Sequence, residues 1–192
     1  MLIDAKGVVR ALKEAYRTDG YLVAMGQDVL TIVAKDWYLE CGSQTVPRKL
    51  LATIAEHTGF VPRADESIKV RKKEETQMVM PVFVEEQVAL WRSISVCKQA
   101  RATPIQFGDL HIYQEDGGDR ECFGILQEHL NLIQMETLLS CPAQIYSGAR
   151  LEWAQDEGRI MVHTFQPTAT DPRYPLWKLF QSNDLQMAKP EL

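Results

Sequence analysis

Between Ile105 and Leu126 the chain reads IQFGDLHIYQEDGGDRECFGIL, two apolar-rich runs on either side of an acidic, glycine-containing turn. Gly117 and Gly118 sit where a tight hairpin needs positive φ at both central positions, so Asp116-Gly117-Gly118-Asp119 predicts a two-residue turn of type I′. Such a turn sets a register that pairs Asp116 with Asp119, Tyr113 with Cys122 and His111 with Gly124. One face then carries Leu110, Ile112, Phe123 and Ile125 and is expected to face the core; the other carries Phe107, Asp109, His111, Tyr113, Cys122 and Leu126. The rest of the sequence is expected to pack on or beside this hairpin.

The flanking segments supply material for that packing. Val8, Val9, Leu12, Ala15 and Tyr16 recur at helical spacing after Asp4, a residue suited to cap a helix, and Asp19-Gly20 ends the pattern. Tyr21–Met25, Val29–Ala34 and Trp37–Cys41 are short β-prone runs and predict a meander. Thr45 and Pro47 open a second helix that stops at Thr58-Gly59. Phe60–Gln77 reads as a loop with at most one strand, near Ile68–Val70. From Pro81, the spacing of Val84, Val88, Trp91 and Ile94 predicts a third helix to about Gln99. Leu130–Leu139 fits helix and strand templates equally poorly and stays open between them.

Leu151–Phe165 predicts a second hairpin turning at Glu157-Gly158, with Trp153 facing Val162 and Glu152 facing His163. Leu176, Trp177, Leu179 and Phe180 predict a short C-terminal docking helix, followed by a frayed end over Ala188–Leu192. Hairpins, a meander and three to four helices without a βαβ rhythm give an α+β class built on an antiparallel sheet. The 192 residues, 45% hydrophobic, suit one domain. Within it, residues 1–45 form a helix plus β-meander, 46–180 the main body and 181–192 a tail.

A net charge of −5 excludes strong phosphate-backbone binding unless the charge is very unevenly placed, so no nucleic-acid partner is expected. The longest stretch without Asp, Glu, Lys or Arg is the thirteen residues Thr137–Ala149, which contain Pro142, so no membrane span is expected. MLIDAKGVVRALKE lacks the apolar segment and cleavage site of a signal peptide. Cys41, Cys97, Cys122 and Cys141 have neither C-x-x-C spacing nor histidines at metal-finger distance. They predict free, structural thiols in a cytoplasmic protein without a metal site. No P-loop, G-x-G-x-x-G or G-x-S-x-G occurs, and no cofactor is expected.

Two constellations on the hairpin bear on function. Cys122 as nucleophile, His111 as base and Asp109 as the group orienting the ring would project from one face in the expected register, the residue set of a small Cys-His hydrolase. Diagonal neighbours there lie about 7–8 Å apart at Cα, which strains the contact that a nucleophile and base require. The acidic turn offers a different use: Asp109, Tyr113, Glu115, Asp116 and Asp119 form a projecting patch suited to a basic protein partner. Glu115, Asp116, Asp119 and Glu121 have no EF-hand spacing, and the turn itself accounts for such residues. Glu152 opposite His163 reads as an ordinary surface pair.

The order of segments resembles the SUKH superfamily, the immunity-protein and fungal cell-wall-regulator fold. The pieces that carry the resemblance are Val46-Pro47 through Gly59, the run Ile112–Ile125 with Glu115-Asp116-Gly117, Cys141-Pro142-Ala143, and Trp153. The turn departs from the family's Glu-Asn-Gln-Gly, and residues 1–45 have no counterpart. The resemblance implies a non-enzymatic α+β protein that binds a partner protein, in some members a toxin that it neutralises. A non-catalytic protein-binding module is therefore the expectation, with the Cys-His hydrolase as its alternative.

Overall fold

The structure is a computed structural model and describes residues 2–92, 95–147 and 149–185, with the side chains of 95–97 outside the description. Its elements run α1 (Ala5–Arg17), β1 (Tyr21–Met25), β2 (Val29–Val33), β3 (Trp37–Gly42), α2 (Arg48–Thr58), β4 (Glu66–Val70), β5 (Gln77–Met78), α3 (Pro81–Trp91) and β6 (Ser95–Phe107). Then follow β7 (Leu110–Glu115), β8 (Cys122–Leu126), α4 (Gln127–Leu130), α5 (Met135–Ser140), β9 (Ala143–Tyr146), β10 (Arg150–Gln155), β11 (Gly158–His163) and α6 (Tyr174–Ser182). The eleven strands of the described residues join one sheet in the order β5-β4-β1-β2-β3-β11-β10-β9-β6-β7-β8, antiparallel throughout. The α+β class and antiparallel sheet agree with the sequence reading. Among the described residues no helix is long and apolar enough to cross a membrane.

Local chemistry explains the N-terminal half. Asp4 accepts a hydrogen bond from Gly7 N at 2.8 Å, capping α1, and α2 closes on Gly59 in the left-handed conformation. The meander forms as expected. Its third strand pairs with β11 from Trp37↔Val162 to Cys41↔Gly158, so residues 1–45 are built into the same sheet as the main body. The tail is also held in part: buried Gln114 donates to the Asn183 carbonyl at 2.8 Å and accepts from Leu185 N at 2.8 Å. Positions 188–192, expected to fray, lie outside the described residues.

Both faces of the sheet are covered, and this departs from the expectation of a polar face. Tyr21, Val23, Ile32, Leu39, Tyr113, Phe123, Ile125, Leu151, Trp153 and Val162 belong to the main core with Val8 and Leu12 of α1 and Leu50 and Ile54 of α2. On the opposite face, α3 covers Leu22, Val33, Tyr38 and Met161, while Trp177 and Phe180 of α6 cover Leu110, Ile112 and Cys122.

The hairpin expected at the centre lies at one edge, and its register is shifted by one residue. Tyr113 pairs with Phe123, Ile112 with Gly124 and Gln114 with Cys122. Glu115 N donates to Glu121 O at 2.8 Å, leaving a five-residue loop from Asp116 to Arg120. Gly117, Gly118 and Arg120 all take positive φ there, and Arg120 is the residue that the two-residue turn did not include. Ile105–Phe107 belongs to β6, which meets β7 through its own turn at Gly108-Asp109.

Three further expectations are corrected. The third helix stops at Trp91, and the backbone re-enters the sheet from Ser95; Ile94 lies outside the described residues. The described helices number six rather than three to four, because the open segment Leu130–Leu139 divides between α4 and α5 around an isolated bridge from Ile133 to Ile3. The second hairpin differs from the expected register by two residues, placing Trp153 opposite Ile160 and Arg150 opposite His163. A shift of two preserves the faces, so its apolar side still enters the core.

The approach of α1 to α4 leaves no room for a side chain at Gly7, where a Cβ would lie 1.6 Å from the Asn131 carbonyl oxygen. An exposed helical Gly→Ala change ordinarily stabilises by about 1 kcal/mol. Gly7→Ala is instead expected to destabilise by about 3 kcal/mol, because backbone must move. A urea titration of the two proteins checks this, and equal or greater stability of the variant would contradict the packing.

Candidate functional site

The shifted register separates the residues of the expected hydrolase. His111 lies on the main-core side of the sheet and Cys122 on the α6 side. Cys122 is enclosed by Leu110, Ile112, Trp177 and Phe180, and burial pushes its thiol up to about 11. Asp109 sits in the exposed β6–β7 turn and contributes its backbone carbonyl to Gln127 N at 2.7 Å. The structure therefore brings together no nucleophile, base and orienting acid from this set.

The expected acidic patch is likewise dispersed. Tyr113 is a core residue packed edge-on against Trp153 at 5.6 Å between ring centroids. Glu115 is 1% exposed and lies 2.8 Å from Lys98 Nζ. Asp116 is held by Arg101 at 2.7 Å, and Asp119 lies 3.8 Å from Lys98. Asp109 is at the far end of β7 from the turn, about 20 Å away along the strand. Glu152 does not meet His163: it accepts from Tyr146 Oη at 2.9 Å and from Arg159 at 3.2 Å.

The surface that sequence reasoning missed is the outer side of α3. Val84, Val88 and Trp91 recur at helical spacing and form its inner side, where Val88 and Trp91 pack with Leu22, Tyr38 and Met161. Val82, Phe83 and Leu90 turn outward, and Met78 and Met80 precede them; all five are between 40% and 71% exposed. Glu86 stands on this outer face between Val82 and Leu90, four residues from each, and Glu85 lies at its side. An apolar helix with only one side covered is the signal that would have found it: VMPVFV and Ala89-Leu90 hold more apolar residues than one buried stripe requires.

Fixed charges hold α3 on the sheet. Arg92 at its C-terminal cap pairs with Glu40, which also lies 3.1 Å from Arg159, and Arg159 continues to Glu152. Arg150 donates to the Leu90 carbonyl, satisfying an acceptor at the helix end. Beside that end is a notch of about 470 Å³ between α3 and the β2–β3 turn. A larger groove, about 660 Å³, runs along α1 and has Lys6, Arg10 and Lys35 interspersed with Asp19, Asp36 and Glu128. Buried His129 borders it, with an Nδ1 that has no hydrogen-bond partner. Among the described residues no three His, Cys, Asp or Glu side chains converge to hold a metal ion.

No protein-family model matches the sequence, and no curated protein is similar to it. Among solved structures, the DNA polymerase III β subunit of Thermotoga maritima is 9% identical with a TM-score of 0.35, over 86% of this protein and 63% of that one. The DNA polymerase III β chain of Streptococcus pneumoniae is 5% identical, TM-score 0.35, over 89% and 67% respectively. The sliding clamp of Bartonella birtlesii is 10% identical, TM-score 0.34, over 92% and 67%. The match thus spans less than two thirds of the first of these proteins. Similarity at this level assigns no role to the surfaces described above.

Burial sets the behaviour of two side chains. With its thiol raised from 9.0 to about 11, Cys122 should react with iodoacetamide in the folded protein about 100-fold more slowly than an ordinary thiol. A peptide-resolved rate comparable to that of a model thiol would contradict its placement. Burial also lowers the His129 pKa below 6.5, so near that pH the unfolded protein takes up a proton that the folded protein resists. Its contribution to stability is complete above about pH 7 and is lost as the pH falls through the unfolded value. Urea midpoints at about pH 7.5 and 5.5 should show a smaller loss in His129→Gln than in the parent; identical losses would contradict the assignment.

Proposed function

We propose that the protein is a non-catalytic protein-binding module whose partner docks on the apolar outer face of α3. The observation that carries this reading is the exposure of Met78, Met80, Val82, Phe83 and Leu90 on one helix and the strand before it. Apolar surface of this kind gains free energy by leaving water, and flexible methionines adapt to a partner's shape. Glu86, set between Val82 and Leu90, and Glu85 beside it favour a partner that brings a basic residue among its apolar ones. The overall charge of −5 disfavours nucleic acid in that role. Cys41, Cys122 and Cys141 are free, which supports a cytoplasmic setting where thiols stay reduced.

The SUKH resemblance makes the proposal more specific: an immunity-type protein whose partner is a toxin. Supporting it are α2 ending at Gly59, the β7–β8 hairpin and Trp153 in β10. The hydrolase alternative has no such support, since Cys122 and His111 occupy opposite faces of the sheet.

Capture of a stoichiometric partner by the tagged protein from its own cells tests the reading. Phe83→Glu with Leu90→Glu should weaken capture by at least about tenfold, as expected when central apolar contacts are lost. Leu139→Glu, on exposed α5 away from this face, should retain it. Undiminished capture by the α3 variant, with both proteins folded by circular dichroism, would overturn the proposal.

A further inference from the structure

The notch beside α3 combines an apolar wall with two cationic side chains, Lys35 and Arg150. Val33, Leu90 and the Trp91 ring form the wall, and Lys35, Arg150 and His163 are the charged or titratable residues around it. Among the described residues that line the notch there is no carboxylate. The α1 groove differs in this respect, because acids and bases alternate along it and no charge sign prevails.

Arg150 gives the notch a built character. It is 9% exposed, and its Nε and Nη2 donate to the Ser147 carbonyl at 3.1 and 2.8 Å while Nη1 donates to that of Leu90. The guanidinium lies 5.8 Å from the Trp91 ring centroid, and His163 packs edge-on against the same ring at 4.4 Å. A cation fixed by carbonyls and an aromatic face loses little freedom when an anion arrives, and partial exclusion of water strengthens their attraction. Lys35 is exposed and only loosely tied, 3.5 Å from Asp19, so its ammonium can turn toward the same anion at small cost.

We propose that this notch binds a carboxylate-bearing apolar residue of a partner protein, with its aliphatic or aromatic side chain against Val33, Leu90 and Trp91 and its carboxylate facing Arg150 and Lys35. The proposal rests on the reading of α3 as the docking surface, and Leu90 belongs to both surfaces. It deepens that reading by naming what anchors the partner: apolar area supplies attraction, and the carboxylate fixes orientation. The carboxylate has two sources with one chemistry, the partner's own C-terminus or an Asp or Glu beside an apolar residue.

The test uses the full-length protein labelled with ¹⁵N, with the indole signal of Trp91 assigned by its loss in Trp91→Phe. N-acetyl-leucine should shift that signal saturably, with a Kd of about 1–10 mM for a ligand of this size. N-acetyl-leucinamide, without the carboxylate, and acetate, without the side chain, should each bind at least about tenfold more weakly. Lys35→Gln and Leu90→Ser, both at exposed positions, should each weaken N-acetyl-leucine by about threefold or more. N-acetyl-aspartyl-leucinamide distinguishes the sources: binding at least as tight as N-acetyl-leucine assigns the anchor to an internal acid, and weaker binding assigns it to a C-terminus.

Equal shifts by N-acetyl-leucine and its amide, absence of a saturable shift up to about 50 mM, or indifference to both substitutions would overturn the proposal. These probes need no partner protein. A failure here therefore leaves the α3 docking surface to be judged by partner capture, and a failure of capture leaves the notch to be judged by these shifts.

Discussion

The pairing of β3 with β11 is the contact on which the rest of the molecule depends. It joins a meander made near the N-terminus to hairpins made near the C-terminus, and both sides of the seam are buried. Leu39, Ile160 and Val162 enter the main core, while Tyr38 and Met161 lie under α3. Non-local pairings of this kind require a large loop to close before they contribute free energy, so they form through tertiary burial rather than local preference. Without the seam, α3 would lose Tyr38 and Met161 from the apolar surface on which it rests.

Charge then fixes how α3 rests. Glu40 and Glu152 lie on strands flanking and forming the seam, and Arg159, Arg92 and Tyr146 satisfy them. Removing such carboxylates from water is costly, and the ion pairs offset that cost while allowing few alternative arrangements. Arg150 adds a hydrogen bond to the helix end at Leu90. Together with Val84, Val88 and Trp91, these contacts determine which side of α3 faces the sheet and therefore which apolar residues remain outside. The same rotation sets Leu90 and Trp91 beside the notch, so the proposed docking face and the proposed anchor site have one structural origin.

Elements specified by near neighbours were legible in the sequence. Asp4 caps α1, Gly59 closes α2, and the breaks at Gly20, Gly26-Gln27-Asp28 and Lys35-Asp36 delimit the meander. The β7–β8 register was not, because it depends on Arg120 adopting φ 53°, a conformation that arginine's own preferences do not announce. That one extra residue moved Cys122 to the opposite face from His111, whereas Tyr113 keeps its place on the His111 face and is inside because that face is part of the main core. The assumption of a single buried face failed for a related reason: α3 and α6 return to cover the second face, and distant helices leave no mark on strand periodicity. The candidate surface was obscured by its own composition, since Val82, Phe83 and Leu90 lengthen an apolar run without saying which members are buried.

The orientation of α3 on the seam is the central claim, and hydroxyl-radical footprinting read by mass spectrometry tests it most directly. Met78 and Met80, at 60% and 71% exposure, should oxidise rapidly together with Phe83 and Leu90. Met161, fully enclosed beneath α3, and Trp91, 5% exposed, should be protected until the protein unfolds. Rapid oxidation of Trp91 and Met161 in the folded protein, with Phe83 and Leu90 protected, would show that the helix presents its other side and would contradict the account.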